Sequence, residues 1–277
     1  MSMIQDIKDL RALTGAGMTD VKKALEEAGG DRDAAIKLIR ERGLAKAAKR
    51  EGNATSEGLV AVRVEDADGG QVATMIELNA ETDFVVKNEK FITLADTILD
   101  AVVAAKAADA EAGLTAPAGE GTVADLIAES AGVMGEKIAL RRVARIEGPK
   151  VTAYLHRTAK DLPPSIGVLV ATDEAGAAVA MDIAQHAAAM APEFLTREDV
   201  PADLVATERE IATNQSIAEG KPEAALPKII EGRLVGFFKT VVLHEQALVQ
   251  DPKTTVSKHV ESVGGKLKNF VRFRVGS

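Results

Sequence analysis

The sequence predicts an α+β protein: a small helical module, then a duplicated α+β core with antiparallel three-stranded sheets, interrupted by an antiparallel coiled-coil hairpin. Three observations carry this. Apolar residues recur at helical spacing over the first fifty positions and alternate from Gly58 onward. A strand–strand–helix–helix–strand order occurs twice, closing on the related segments 140–146 (LRRVARI) and 270–275 (FVRFRV). Between them, two apolar stripes flank the turn Gly220-Lys221-Pro222. The boundaries expected are 1–54 for the module, 55–147 for the first core half and 148–277 for the second, with the hairpin at about 199–241.

In the module, Ser2 and Gln5 have capping-box spacing, and Ile4, Ile7 and Leu10 follow on one helical face. Thr14-Gly15-Ala16-Gly17 breaks that helix. A second begins near Thr19, turns Val21, Ala24, Leu25 and Ala28 inward, and stops at Gly29-Gly30. Asp31 caps a third, with Ala35, Ile36, Leu38 and Ile39 inward and Gly43 as its stop. Three short helices bury little surface, which predicts marginal stability and a docking role. Lys46, Lys49, Arg50 and Glu51 lead through Gly52-Asn53 into a polar connector.

In the first core half, Val60, Val62 and Val64 alternate with Ala61 and Arg63, Asp68-Gly69-Gly70 supplies a turn, and 72–78 returns as the second strand of a hairpin. A helix is predicted over 88–107, a loop over 108–121, a short helix from Thr122-Val123 and a third strand over 138–146. The second half repeats this with strands at 151–156 and 166–171 around Leu162-Pro163-Pro164, a helix near 179–190, a short helix from Thr255-Val256 ended by Gly264-Gly265-Lys266, and a closing strand. In the hairpin, Leu204, Ile211 and Ala218 are seven apart, and Leu226, Ile230, Leu234 and Phe238 return at steps of four. Pro227 is awkward there, since a proline past the first turn removes a helix hydrogen bond.

Several function classes are excluded. The chain has no cysteine, so disulfides, thiolate metal sites and thiol nucleophiles are absent, which suits a reducing cytoplasm. Its start is acidic and lacks a long apolar core, unlike a signal peptide, and no stretch approaches the ~18 apolar residues that span a bilayer. A net charge of −8 argues against broad nucleic-acid binding. His156, His186, His244 and His259 lie far apart and in no metal-binding spacing, and no nucleophile elbow or phosphate loop occurs. Gly15-Ala16-Gly17 follows a helix rather than a strand and lacks the third glycine of a dinucleotide fingerprint. No catalytic residue, metal ligand or cofactor is therefore expected, and binding to another protein becomes the leading class.

The segment Glu81-Thr82-Asp83-Phe84-Val85-Val86 stands out, because it sets large apolar residues at an exposed strand-to-helix junction. Phe84 has two readings: tucked under the following helix with Phe91, or presented outward as an interface anchor. Glu77 and Glu81 read as a solvated loop rim.

Residues 76–85, IELNAETDFV, resemble the signature of bacterial elongation factor Ts, the guanine-nucleotide exchange factors for elongation factor Tu. Thr14-Gly15-Ala16-Gly17-Met18 with Asp20, Lys22, Lys23, Ala24 and Leu25 resembles that family's other hallmark, and 186–195 (HAAAMAPEFL), Glu198-Asp199-Val200-Pro201 and Glu231-Gly232-Arg233 match further. The resemblance implies a ubiquitin-associated-like (UBA-like) module docking on the GTPase, with Leu13, Gly15, Gly17 and Met18 as contacts. It also implies a turn of Thr82, Asp83, Phe84 and Val85 that dislodges Mg²⁺, and a second core half that grips a β-barrel domain. The partner implied is elongation factor Tu, in a heterodimer or heterotetramer, with no cofactor and no direct contact with nucleic acid or membrane. Departures from the pattern are Thr19 where an apolar residue is frequent, Gln246-Ala247-Leu248 in place of Gln-Pro-aromatic, and a close at Ser277 where some members add a helix. A non-exchanging adaptor or chaperone-like binder of a GTPase is the alternative.

Overall fold

The computed structural model describes residues 3–277, apart from the side chains of Lys46 and Ala47. The capping box expected at Ser2 lies outside the described residues. Three helices open the chain: α1 (Met3–Thr14), α2 (Met18–Glu27) and α3 (Arg32–Ala48). They fit the UBA-like module, with Leu10, Val21, Ala24, Leu25, Ala35 and Ile39 forming one small core. Asp31 caps α3 as expected, its carboxylate accepting the Ala34 N–H at 3.0 Å.

Gly43 does not stop α3, which continues to Ala48. The reason is tertiary. Gly43 crosses Gly132 of α7 (Val123–Met134, in the first core half) so closely that a Cβ on Gly132 would lie 2.6 Å from the Gly43 carbonyl carbon. A glycine read locally as a terminator instead permits backbone contact between two helices. Arg40 of α3 pairs with Glu129 of α7 beside the crossing. This contact yields a test whose sign is informative. Helix propensity alone predicts that Gly132→Ala stabilises by about 1 kcal/mol. The crossing leaves no room for the methyl, so a net loss of about 1–2 kcal/mol is expected in urea unfolding. A net gain would mean that the helices part at no cost.

The first core half contains β1 (Glu57–Ala67), β2 (Gly70–Ala80), α4 (Asp83–Val86), α5 (Glu89–Ala104), α6 (Ala110–Leu114), the two-residue strands β3 (Pro117–Ala118) and β4 (Gly121–Thr122), then α7 and β5 (Ile138–Gly148). The stretch expected as loop over 108–121 thus holds a helical turn, because Asp109 caps α6 by accepting the Ala112 N–H. Thr122 and Asp125 form a reciprocal capping box at the start of α7. The second half contains β6 (Lys150–His156), β7 (Ile166–Thr172), α8 (Ala180–Met190), α9 (Ala202–Ala218), α10 (Leu226–Val241), α11 (Val256–Ser262) and β8 (Leu267–Arg274). Both sheets are antiparallel, in the equivalent orders β1-β2-β5 and β6-β7-β8. The duplication read from element order is therefore present in topology.

The sheets stack face to face. Val60, Met75, Ile146, Leu169, Ala171 and Phe273 fill the space between them, while Ile76 and Leu78 turn toward α5 and α7, and Val168 and Val170 toward α8 and α11. This gives helix, sheet, sheet and helix layers, with each central strand buried on both sides. It explains why all seven residues of β7 are buried, against the one-sided alternation of a solvated antiparallel sheet.

Helices α9 and α10 form the antiparallel hairpin. On α10 the expected stripe at steps of four is the less exposed face: Leu234 is buried, and Leu226, Ile230 and Phe238 are partly buried. The seven-residue seam on α9 is corrected: Ile211 is 42% exposed and Ala218 is exposed, whereas Ala212 and Ser216 are buried. The buried face of α9 runs through Ala212 and Ser216, with Leu204 and Val205 packed beside Phe237 and Phe238 of α10, and Ile211 lies about 100° round the helix from Ala212. Pro227 is accommodated because α10 begins at Leu226, which puts the proline in the first turn, where no N–H is needed. Among the described residues no helix is long and apolar enough to cross a membrane.

Candidate functional site

Strand β2, central in its sheet, ends at Ala80, and α4 follows as a single turn with Thr82 in extended conformation before it. Val85 and Val86 turn into the core, and Phe91 takes the apolar slot beneath α5 with no exposure. Successive helical positions are about 100° apart, so burying 85 and 86 points residue 84 outward. Phe84 is 80% exposed, the highest value among the exposed large apolar side chains. The structure excludes the tucked reading of this residue: its side chain faces solvent.

Polar contacts hold the turn from below. Glu136 accepts both the Thr82 N–H, at 2.9 Å, and the Thr82 Oγ1 hydroxyl, at 2.6 Å. In return, Glu81 accepts the Lys137 N–H at 2.6 Å. The Glu81 carboxylate also accepts from Arg50 Nη1 at 3.1 Å and Asn53 Nδ2 at 2.9 Å, tying in the connector that leaves α3. The backbone donor at Lys137, with Arg50 and Asn53, holds the Glu81 carboxyl below the usual carboxylate range. Gly135 makes the reversal after α7 feasible: its φ of 76° closes the helix in the left-handed region and aims Glu136 back at the turn.

On the other flank, Lys87 Nζ lies 2.8 Å from Asp83 and 2.9 Å from Asp161 in the β6–β7 connection. Hydrogen bonds to Asp83 and then Asp161 push its pKa up to about 12, so it stays charged. It stands 6.0 Å from the Phe84 ring centroid. Thr82, Asp83, Phe84 and Val85 are thus brought together, but Val85 serves as an internal anchor and Phe84 alone projects.

The solvated-rim reading of Glu77 and Glu81 is overturned. Glu77 is fully buried in β2 and pairs with Arg142 Nε of β5 at 2.5 Å. Glu81 retains 17% side-chain exposure within the clamp. Glu136, Lys137 and Asp161 escaped the sequence reading, since nothing local links them to partners 54, 56 and 74 positions away. Lys87 had a readable signal in its i,i+4 spacing from Asp83.

The second candidate set lies around the α1–α2 loop. Leu13 is 69% exposed and Met18 is 55% exposed, one on each side of Gly15 and Gly17. Gly15 has φ 71° and sits against α5 and α7: a Cβ there would lie 2.4 Å from Lys90 Nζ and 2.8 Å from Val133 Cγ1. Lys90 is in the first turn of α5, six positions after Phe84. Leu13, Gly17 and Asp20 line a cleft of about 410 Å³ with Arg40, Glu129 and Val133. Thr19 is exposed beside Met18.

Comparison with known proteins gives a concordant result. The family model for elongation factor Ts matches residues 81–277. The elongation factor Ts of Beutenbergia cavernae is 59% identical over 274 residues, covering 98% of both chains. Those of Paenarthrobacter aurescens and Micrococcus luteus are 54% and 55% identical over 275 and 276 residues, again covering 98% of both. The chain belongs to the elongation factor Ts family. It is therefore a member of a family of translation elongation factors.

The match to the elongation factor Ts model begins at Glu81, so it takes in the whole clamped turn, and the relatives' coverage extends through the N-terminal module. At 246–248 Gln246 keeps the family residue and is buried, and of the two departures Leu248 is buried and Ala247 is exposed. Gln246 Nε2 donates to the Thr240 carbonyl at 2.6 Å, and its Oε1 lies 2.9 Å from His186 Nε2. His186 Nδ1 accepts the Val249 N–H at 3.2 Å, which assigns the ring proton to Nε2. Burial lowers the His186 pKa, so the ring is a neutral brace between α8 and the segment after the hairpin.

Proposed function

We propose that this chain binds elongation factor Tu in its GDP form, displaces Mg²⁺ and promotes GDP release so that GTP can bind. The observation that carries the proposal is Phe84, 80% exposed on a turn held by side-chain and backbone contacts on both flanks. Exposing a phenylalanine costs hydrophobic free energy, and a rigid aromatic offered to solvent is the residue type that dominates protein interfaces. The turn of Thr82, Asp83, Phe84 and Val85 acts at the metal site of the partner through Phe84 as the wedge, with Val85 anchoring the turn from inside. Leu13, Gly15, Gly17 and Met18 dock the module.

The work is divided among residues 1–54, which dock, 55–147, which carry the wedge, and 148–277, which grip a second domain of the partner and carry the hairpin at about 199–241. The exchange factor and GDP–Mg²⁺ favour different conformations of the GTPase, so each weakens the other by the same factor. Losing the metal removes charge compensation from the phosphates, and GDP leaves. This chain contributes contacts and no bond chemistry of its own. It acts in the cytoplasm as a heterodimer or heterotetramer with the GTPase, without touching nucleic acid or membrane directly.

Stopped-flow release of a fluorescent GDP from elongation factor Tu tests this. Adding the chain should accelerate release to a rate that saturates with its concentration. Binding without acceleration would instead make it the non-exchanging adaptor or chaperone-like binder.

A further inference from the structure

We infer that Glu136 is a positioning residue for exchange: its carboxylate, by holding both donors of Thr82, fixes the direction in which Phe84 is presented. The inference rests on the exchange reading above and deepens it. Glu136 lies outside the turn, 54 positions from Thr82. It is part-buried, so Phe84 rather than Glu136 is the large exposed side chain offered to a partner.

The geometry specifies the role. One carboxylate oxygen takes the Thr82 N–H at 2.9 Å and the other takes the Thr82 hydroxyl at 2.6 Å, leaving backbone and side chain of one residue held together. Thr82 is the residue that precedes α4, where backbone torsions set the axis of that single turn. A helix of four residues has too few internal hydrogen bonds to hold its own direction. Rotation of α4 about residue 82 would swing Phe84; buried Val85 and Val86 resist it from the far end, and the bidentate acceptor at Thr82 restrains it at the pivot. Gly135, with φ 76°, supplies the chain reversal that brings the acceptor there. The neighbouring Glu81–Lys137 bond ties the same two segments in the opposite sense, which makes the attachment a two-point clamp.

The test uses the full chain with Glu136→Ala, Glu136→Gln, Phe84→Ala and the Glu136→Ala/Phe84→Ala pair. Losing hydrogen bonds to a charged acceptor should lower GDP release at saturating factor about tenfold in Glu136→Ala. Affinity for nucleotide-free elongation factor Tu should change by less than about threefold, because the module and second core half still bind. Glu136→Gln keeps an acceptor oxygen for one donor and should restore part of the rate. The double variant should be no slower than Phe84→Ala alone, since a residue acting through Phe84 has nothing left to position. Amide exchange at Thr82 should quicken in Glu136→Ala while α5 amides keep their protection, which separates the clamp from general unfolding. A wild-type release rate in Glu136→Ala, or a loss that multiplies with that of Phe84→Ala, would overturn the inference. If Phe84→Ala itself exchanges normally, the wedge assignment fails instead, and the Thr82 amide still judges the clamp. A wild-type chain that binds without accelerating release is what would sink the exchange reading.

Discussion

Phe84→Ala should slow GDP release from elongation factor Tu by about 30-fold or more at saturating factor, the rate equivalent of a hot-spot loss of about 2 kcal/mol. The effect belongs to the rate rather than to the fold. Phe84 is 80% exposed, so truncating it removes almost no internal contact, and the thermal midpoint should stay unchanged. Binding should survive in part through Leu13 and Met18 on the module and through the second core half. Phe84→Leu restores apolar bulk without a planar ring and should fall between alanine and wild type. An alanine variant that exchanges at the wild-type rate would remove the wedge from the mechanism.

The second large effect concerns stability. Glu77→Ala should destabilise the chain by about 3 kcal/mol, measured as a shift in denaturant midpoint, because it leaves a charged partner without its counter-ion. That partner, Arg142, is 31% exposed, which sets the loss at the lower end of the range for broken buried pairs. Arg142 joins the two sheets: its guanidinium stacks 4.5 Å from the Phe273 ring centroid and donates to the Arg274 carbonyl of β8 at 2.7 Å. Removing Glu77 therefore loosens the contact between core halves as well as one ion pair. Replacing both partners, Glu77→Leu with Arg142→Met, should recover most of the loss, since no charge then remains buried. A single variant as stable as wild type would mean that water reaches Arg142 freely.

Much of the fold was legible because its signals are local. Asn88 and Thr122 cap α5 and α7 where a helix start was expected, and Asp68-Gly69-Gly70 turns the β1–β2 hairpin. The family motifs also mark the turn at 82–85 as the candidate site. Misreadings occurred where a residue type has two uses. Gly43 looks like a helix stop and serves as a crossing point, and Ile211 keeps a heptad spacing yet faces solvent.

From its sequence alone this protein's α+β class, its duplicated order, its helical hairpin and its family were determined, since each is written in short-range periodicity or contiguous motif. Tertiary structure decided that Phe84 faces outward, that Glu77 is buried against Arg142, and that Glu136 holds Thr82. The reason is physical. Whether a side chain is exposed, paired or clamped depends on groups tens of residues away, whose approach follows from sheet stacking and helix crossing rather than from any local pattern.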